Sequence, residues 1–494
     1  MRVRLKRTLV WIIGLYLFII YYFFNPSANY LEPYIKDIVQ PGLESRQIVK
    51  NGKLPETTTT TTECTTEKLT VIPSRADYKS CPKLSPPPFD TPDRQDFLPV
   101  GEEGTFYTFS AFVDDRLGKN GVLVVISIGD PKGKLPRFCQ AWYNAGRDNT
   151  TGSALGGHAN ATVFLNIIPG KLEKYPEGHG RRFNGYAFHC PLTSQLLPYA
   201  ASLAYNECDI PARGVLKVLN TKPTKLPVKP KFEFAVCITP MSLQYDNVNQ
   251  FVEMVEMNRE LGAEHFTFYN YSIGPRVAKV LKHYTKQGVA DLIQWPLPIK
   301  ANIWPPVKGQ REEIHYYGQV VALNDCFNRY MHKADFTVMT DMDEFIVPRV
   351  DMTWKKLVQS LGGMKPHVGS FLFKNAFFKA EWPNDESLAN NKSINEFNLL
   401  TQLKTKREKK VSRPRSRSKY FVITERSRIV GIHYVWKNMP GYKDHVVPEE
   451  IAMLFHYRNW DNPDDKNWIV DRTMHKYSDS LLRRVQNVYH TVQL

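Results

Sequence analysis

Three carboxylates fall within four residues at Asp341, Asp343 and Glu344, directly after the β-forming run Phe336–Thr340. In an open α/β sheet, ligands gather beyond the carboxyl ends of the strands, which is where this cluster would emerge. Asp oxygens at i and i+2 suit a hard divalent cation, Mn²⁺ or Mg²⁺, bridging a diphosphate. Such a cation neutralises charge on a departing nucleotide and orients it. That is the chemistry of sugar transfer from a nucleotide-sugar donor. A lone Asp-x-Asp also arises about once by chance in a chain of this length. A solvated strand-end turn explains it as well, so the surrounding elements must decide.

Other residues have the types this chemistry needs. The hydrophobic stretches Ile429–Tyr434 and Met453–Tyr457 each carry a His-Tyr pair, at His433 and His456. A neutral imidazole is a suitable third ligand for Mn²⁺ beside two carboxylates. A single strand histidine more often has a structural role, and both candidates stay open. Arg458, after His456, offers a planar guanidinium for phosphate oxygens. Glu381, Asp385 and Glu386 cluster beside Trp382. Asp385 or Glu386 is the expected general base, Trp382 a surface for a sugar ring. An exposed acidic turn accounts for the same residues.

The order of elements favours the chemical reading. Phe232–Ile238 is a short apolar strand, and Asp246 is the expected N-cap of an amphipathic helix with Val248, Phe251, Val252, Val255 and Leu261 on one face. Strands follow at His265–Tyr269 and about 290–295, separated by a second amphipathic helix that ends at Gly288. A long helix over about 312–332 leads into Phe336–Thr340. Alternation of this kind predicts an α/β domain, with a mostly parallel sheet flanked by helices.

Upstream, residues 100–225 read as a β-rich accessory domain, with runs at Thr105–Val113, Gly121–Ile128 and Phe138–Tyr143. The Pro/Lys alternation at 222–231 reads as a connector. Residues 1–7 carry four positive charges, and residues 8–24 carry none of either sign. This predicts a cytoplasmic tail and a transmembrane signal anchor, with the remainder translocated; a cleaved signal peptide is the alternative. Residues 25–99, with the Thr57–Thr62 run and Pro86–Pro88, read as a stem. Four N-x-S/T sequons, at Asn149, Asn160, Asn270 and Asn391, agree with a secretory route.

Seven cysteines without a C-x-x-C pair give zinc or thioredoxin chemistry no support. Cys139 and Cys190, both in strand-like segments, are the expected disulfide. The net charge of +16 is concentrated partly in residues 404–419, which hold nine basic residues and one acid, Glu408. Such a run usually makes a mobile, solvated loop; contact with an anionic ligand is the functional alternative. With an anchor at the start and no recognised nucleic-acid motif, nucleic-acid binding is rejected.

Several segments, in order, resemble glycosyltransferase family 92: Cys237-Ile-Thr-Pro240, Glu253–Gly262, Gly318-Gln319, Asn324-Asp325-Cys326, Asp341–Phe345 and His456-Tyr-Arg458. The likeness runs from Phe232 to Tyr489, and Phe109–Arg116 is similar to animal members. It implies a GT-A fold and a single-pass type II Golgi enzyme with its catalytic domain, residues 226–494, in the lumen. It further implies Mn²⁺-dependent inverting transfer, most readily of galactose from UDP-galactose to a glycan acceptor on a glycoprotein or glycolipid. Carried over, Asp341 and Asp343 form the metal and donor motif. His456 is the preferred further ligand and His433 the reserve. Asn324, Asp325 and Arg458 would contact the donor. The charged 404–419 segment departs from the family pattern and leaves the acceptor open. The competing expectation is a catalytically inactive Golgi carbohydrate-binding protein. A luminal sulfotransferase lacks support because no G-x-x-x-x-G-K-[ST] cradle is present. A glycoside hydrolase needs carboxylates further apart than i and i+2.

Overall fold

The computed structural model describes residues 81–144, 163–220, 230–303, 308–388, 390–459 and 467–494. The expected tail, anchor, most of the stem, Cys64, Asn149 and Asn160 lie outside the described residues. Among the described residues, no helix is long and apolar enough to cross a membrane.

Seven strands form the central sheet, in the order Ala290–Gln294, His265–Asn270, Phe232–Ile238, Ala334–Thr340, Lys419–Ile423, Val368–Phe373 and Lys443–Val446. The first four are mutually parallel. Lys419–Ile423 runs antiparallel to both its neighbours, and the last pair is parallel again. The α/β expectation therefore holds, with a mixed far edge. Strand order reverses between Phe232–Ile238 and Ala334–Thr340, which lie side by side although two strands and three α-helices separate them in sequence. A crevice opens at such a switch point, beyond the carboxyl ends of the two strands.

The helices follow the apolar pattern with two shifts. Val248–Leu261 buries Phe251, Val252, Val255 and Leu261, but Asn247, not Asp246, accepts the capping bond from Gln250 N. Asp246 instead accepts from Val277 N, at the start of the helix Pro275–Lys286. The helix expected over 312–332 is shorter, at Gln319–Tyr330. Tyr316, Tyr317 and Gly318 interrupt it with φ of 41°, 55° and 70°. Two consecutive non-glycine residues in the left-handed region are costly, and such strain gathers at functional sites.

A second sheet supplies the opposite wall of the crevice. Ala452–Tyr457 pairs antiparallel with Glu344–Pro348 and parallel with Asn375–Phe378, in a register that sets His456 opposite Glu344 and Phe377. The β-rich region folds as two antiparallel sheets, of five and four strands. The expected disulfide Cys139–Cys190 joins them, and Cys81–Cys208 and Cys237–Cys326 are also bonded. The β-rich region and the α/β sheet share one apolar layer, in which Phe97, Phe109 and Ile126 meet Cys237, Trp295 and Val321. Cys81, Leu84, Phe97 and Leu98 are buried, so packed structure reaches into the 81–99 stretch assigned to the stem by composition.

Candidate active site

Asp341 is the first residue beyond the Ala334–Thr340 strand, and Thr239 is the first beyond Phe232–Ile238. The two meet across the switch point, where Thr239 Oγ1 donates to Asp341 Oδ1 at 2.8 Å. Gln319 Nε2 approaches the same oxygen at 3.4 Å, from the first turn of its helix. Cys237–Cys326 ties that helix to the strand ending at Ile238. Asp341 Oδ2 accepts from Lys419 Nζ at 2.8 Å. Burial alone would raise the Asp341 carboxyl, yet the Lys419 ammonium and the Thr239 hydroxyl hold it below the ordinary range.

Lys419 is the last of the nine basic residues and the first of its strand, one residue beyond the Tyr420–Met339 pair. That register places its side chain under the acidic turn, with 2% exposed. Its ammonium also lies 3.3 Å from Glu344 Oε2, which accepts from Asp341 N at 3.0 Å. Burial, reinforced by Asp341 and Asp343, pushes Glu344 up to about 7 despite the neighbouring lysine.

Asp343 has a different partner. Its carboxylate is about a quarter exposed, and its Oδ2 lies 3.4 Å from His456 Nε2. His456 Nδ1 stands 3.2 Å from Asn375 Oδ1 and 3.3 Å from Glu344 Oε1. His456 Nε2 is buried without an aligned hydrogen bond. Burial lowers this imidazole, but Glu344, Asp343 and Asp341 together hold it above the ordinary range.

A buried imidazole nitrogen 3.4 Å from a carboxylate that is about a quarter exposed fits two positions in the sphere of Mn²⁺ or Mg²⁺. Among the described residues, no group of three His, Cys, Asp or Glu side chains is arranged around one cation position. The remaining positions would fall to diphosphate oxygens and water. His433 sits in the bend after Ser427–Val430, not in a strand. Its buried Nδ1 has no partner, and burial together with Lys419 pushes the imidazole down to about 4.

The rim is aromatic and basic. Arg458 is exposed at the end of the His456 strand, close enough to Tyr316 and Arg417 for its charge to act on both. Tyr316 is 51% exposed in its strained loop, within electrostatic reach of Asp341 and Asp343. The Arg417 guanidinium lies over the Phe377 ring, which in turn packs against His456.

Not every residue singled out from sequence comes to the crevice. Asn324 is buried and bonded to Val320 O and to both backbone groups of Val430. Asp325 is fully buried and accepts from Ser110, Tyr269 and Arg329. Both side chains are buried and bonded to protein partners, so that together they brace the helix against its neighbours. Asp385 accepts from Arg472, Ser387 and Thr405, and these bonds outweigh burial to hold its carboxyl far below the usual range. It is a poor proton acceptor. Glu386 beside it is exposed.

Lys419, Thr239, Gln319 and Tyr316 were not singled out for chemistry. Thr239 and Gln319 do stand inside segments that carry the family resemblance. Lys419 was hidden in a run of like charge.

The sequence profile of glycosyltransferase family 92 matches residues 232–492. The chain belongs to glycosyltransferase family 92, and the match spans the residues that carry the acidic turn and His456. Among curated relatives, the Caenorhabditis elegans family 92 protein C33H5.2 is 23% identical over 274 residues, covering 53% of this chain and 47% of the relative. Protein F13G3.3 of the same organism is 25% identical over 172 residues, covering 35% and 32%. The chain thus matches less than half the length of these relatives. A solved structure of S. aureus TarS residues 1–349 with UDP-GlcNAc is 10% identical, covering 53% of this chain and 73% of that one at a TM-score of 0.25. A likeness that slight bears on neither the fold nor the donor.

Proposed function

We propose that this chain is a Golgi type II membrane glycosyltransferase that uses a divalent cation and moves galactose from UDP-galactose, with inversion, to a glycan acceptor. The observation that carries the reading is the Asp343–His456 pair beside the sheet's switch point, 3.4 Å apart with Asp343 about a quarter exposed. The GT-A assignment, the donor and the Golgi placement rest on the family resemblance and on the charge pattern of residues 1–24. Mn²⁺ or Mg²⁺ held by Asp343 and His456 would offset charge on the departing diphosphate. Arg458 and Arg417 face the same rim and suit phosphate oxygens. Glu386, the exposed carboxylate of the Asp385–Glu386 pair, is proposed as the base on its exposure alone. It would take the acceptor hydroxyl proton as that oxygen bonds to the anomeric carbon and the bond to UDP breaks.

The alternative is a non-catalytic carbohydrate-binding protein; among the described residues no three His, Cys, Asp or Glu side chains surround one cation position. UDP release decides between them, measured on the full chain because a cut near residue 100 would break Cys81–Cys208. Release that needs a glycan acceptor, Mn²⁺ and Asp343, and is greatest with UDP-galactose, is the expected result. A folded protein that neither binds UDP nor releases it from any UDP-sugar would establish the non-catalytic reading.

A further inference from the structure

Of the three clustered carboxylates, only one is poised for a ligand. Asp341 has both oxygens engaged, one by Thr239 and Gln319 and the other by Lys419. Glu344 is 2% exposed, with one oxygen shared between Lys419 and the Asp341 amide and the other against His456. A lysine buried this deeply needs its anionic partners, because an uncompensated ammonium away from water is costly. The partners need the lysine equally, since three carboxylates within four residues repel one another in a low-dielectric site. Asp343 is the carboxylate left outside this arrangement. It is about as exposed as Asp341, a quarter in each, but its Oδ2 meets His456 Nε2 at 3.4 Å rather than Lys419.

We propose that Lys419 is the positioning residue of the acidic cluster. Its ammonium is an internal counter-ion that removes Asp341 and Glu344 from the ligand set and leaves Asp343 with His456 to receive a divalent cation. This rests on the metal-dependent reading above, but it assigns the two aspartates of the Asp-x-Asp different work. Asp341 anchors the turn to Thr239 and Lys419, and Asp343 binds. Lys419 itself touches neither cation nor substrate.

The test is Mn²⁺ binding to the full chain, read from the electron paramagnetic resonance of free Mn²⁺ in the presence of UDP. Asp343→Asn and His456→Gln should weaken binding at least tenfold, and Asp341→Asn by less than about threefold. In a Lys419→Met background Asp341 is released, so adding Asp341→Asn should then cost tenfold or more. Equal losses for Asp341→Asn and Asp343→Asn in the wild-type background overturn the proposal, and this comparison stands even if the lysine variant does not fold. Thermal unfolding gives a readout independent of metal, in which Lys419→Met and Asp341→Asn should be strongly non-additive. Additive shifts overturn the counter-ion role. A wild-type chain that binds UDP but no Mn²⁺, while still showing the non-additivity, overturns the metal-dependent reading and the ligand assignment and leaves the counter-ion role standing.

Discussion

The acidic stretch 341–344 and the basic stretch 404–419 look alike as sequence, each a cluster of one sign, yet the fold uses them differently. The acidic residues stay together at a strand end and split by partner, Asp341 to Thr239 and Lys419 and Asp343 to His456. The basic residues disperse. Lys404 donates to Trp382 O, Lys406 lies over the Trp468 ring, Arg407 is buried against Asp471, Arg415 pairs with Asp444, and Lys419 supports the acidic turn. The expected mobile, solvated loop is instead threaded through the domain, because nearly every second cation finds a fixed anion, carbonyl or ring. Charge density is visible in a sequence, whereas the partner that would neutralise it is not.

The sharpest break of this comparison is Asp343→Asn. If this aspartate works on developing charge, transfer should fall by roughly 10³-fold, the upper scale for losing one electrostatic stabiliser, with the circular dichroism spectrum unchanged. Steady-state UDP release on matched protein measures it, and a loss under tenfold would remove Asp343 from the reaction.

Next in size is the contrast inside the basic stretch. Lys419→Met strands two buried carboxylates and should destabilise the fold by about 3–5 kcal/mol. Lys410→Ala, at an exposed position, should change stability by no more than about 0.5 kcal/mol. Urea unfolding of both variants separates a structural cation from a surface one. Similar costs would mean the stretch behaves uniformly after all.

Glu386→Gln probes the outward acid of the second acidic cluster. It should lower kcat by about 10²-fold, the lower end for general-base removal, while UDP affinity holds within about twofold. Asp385→Asn should chiefly destabilise, since Asp385 binds Arg472, Ser387 and Thr405. Equal kcat in wild type and Glu386→Gln would move the base elsewhere.

Local pattern explains what was legible. The period of Val248–Leu261, the β-formers before Asp341 and the Cys139–Cys190 pair are short-range signals, and each appears in the structure. The Asp-x-Asp and the two histidines were visible as types, but their roles depend on partners far away in the chain. His456 faces Glu344 only through the 344–348 and 452–457 pairing. Asn324 and Asp325 looked available because their buried partners, Val430, Ser110 and Tyr269, come from other layers. Asp385 looked catalytic for the same reason, with Arg472 lying 87 residues away. The Tyr316–Gly318 kink had no sequence signal beyond its glycine.

The smallest expected effect joins the two stretches. Asp471 accepts from Arg407 of the basic run and from Arg349, which follows the strand begun by Glu344. Burial would raise its carboxyl, but Arg349, Thr473 and Arg407 outweigh that and pull it down to about 2 from an ordinary 3.8. A depressed carboxyl stabilises the folded state above its unfolded-state pKa, and that contribution is lost as pH falls towards the folded value. Asp471→Asn should therefore cost about 2 kcal/mol at pH 7, and the gap to wild type should narrow by about 1 kcal/mol at pH 3. Urea unfolding at the two pH values gives both numbers. A gap independent of pH would mean that the Arg407 and Arg349 contacts contribute through shape and hydrogen bonding alone. Charge pairing in the basic stretch would then rest on Lys419 and Arg415.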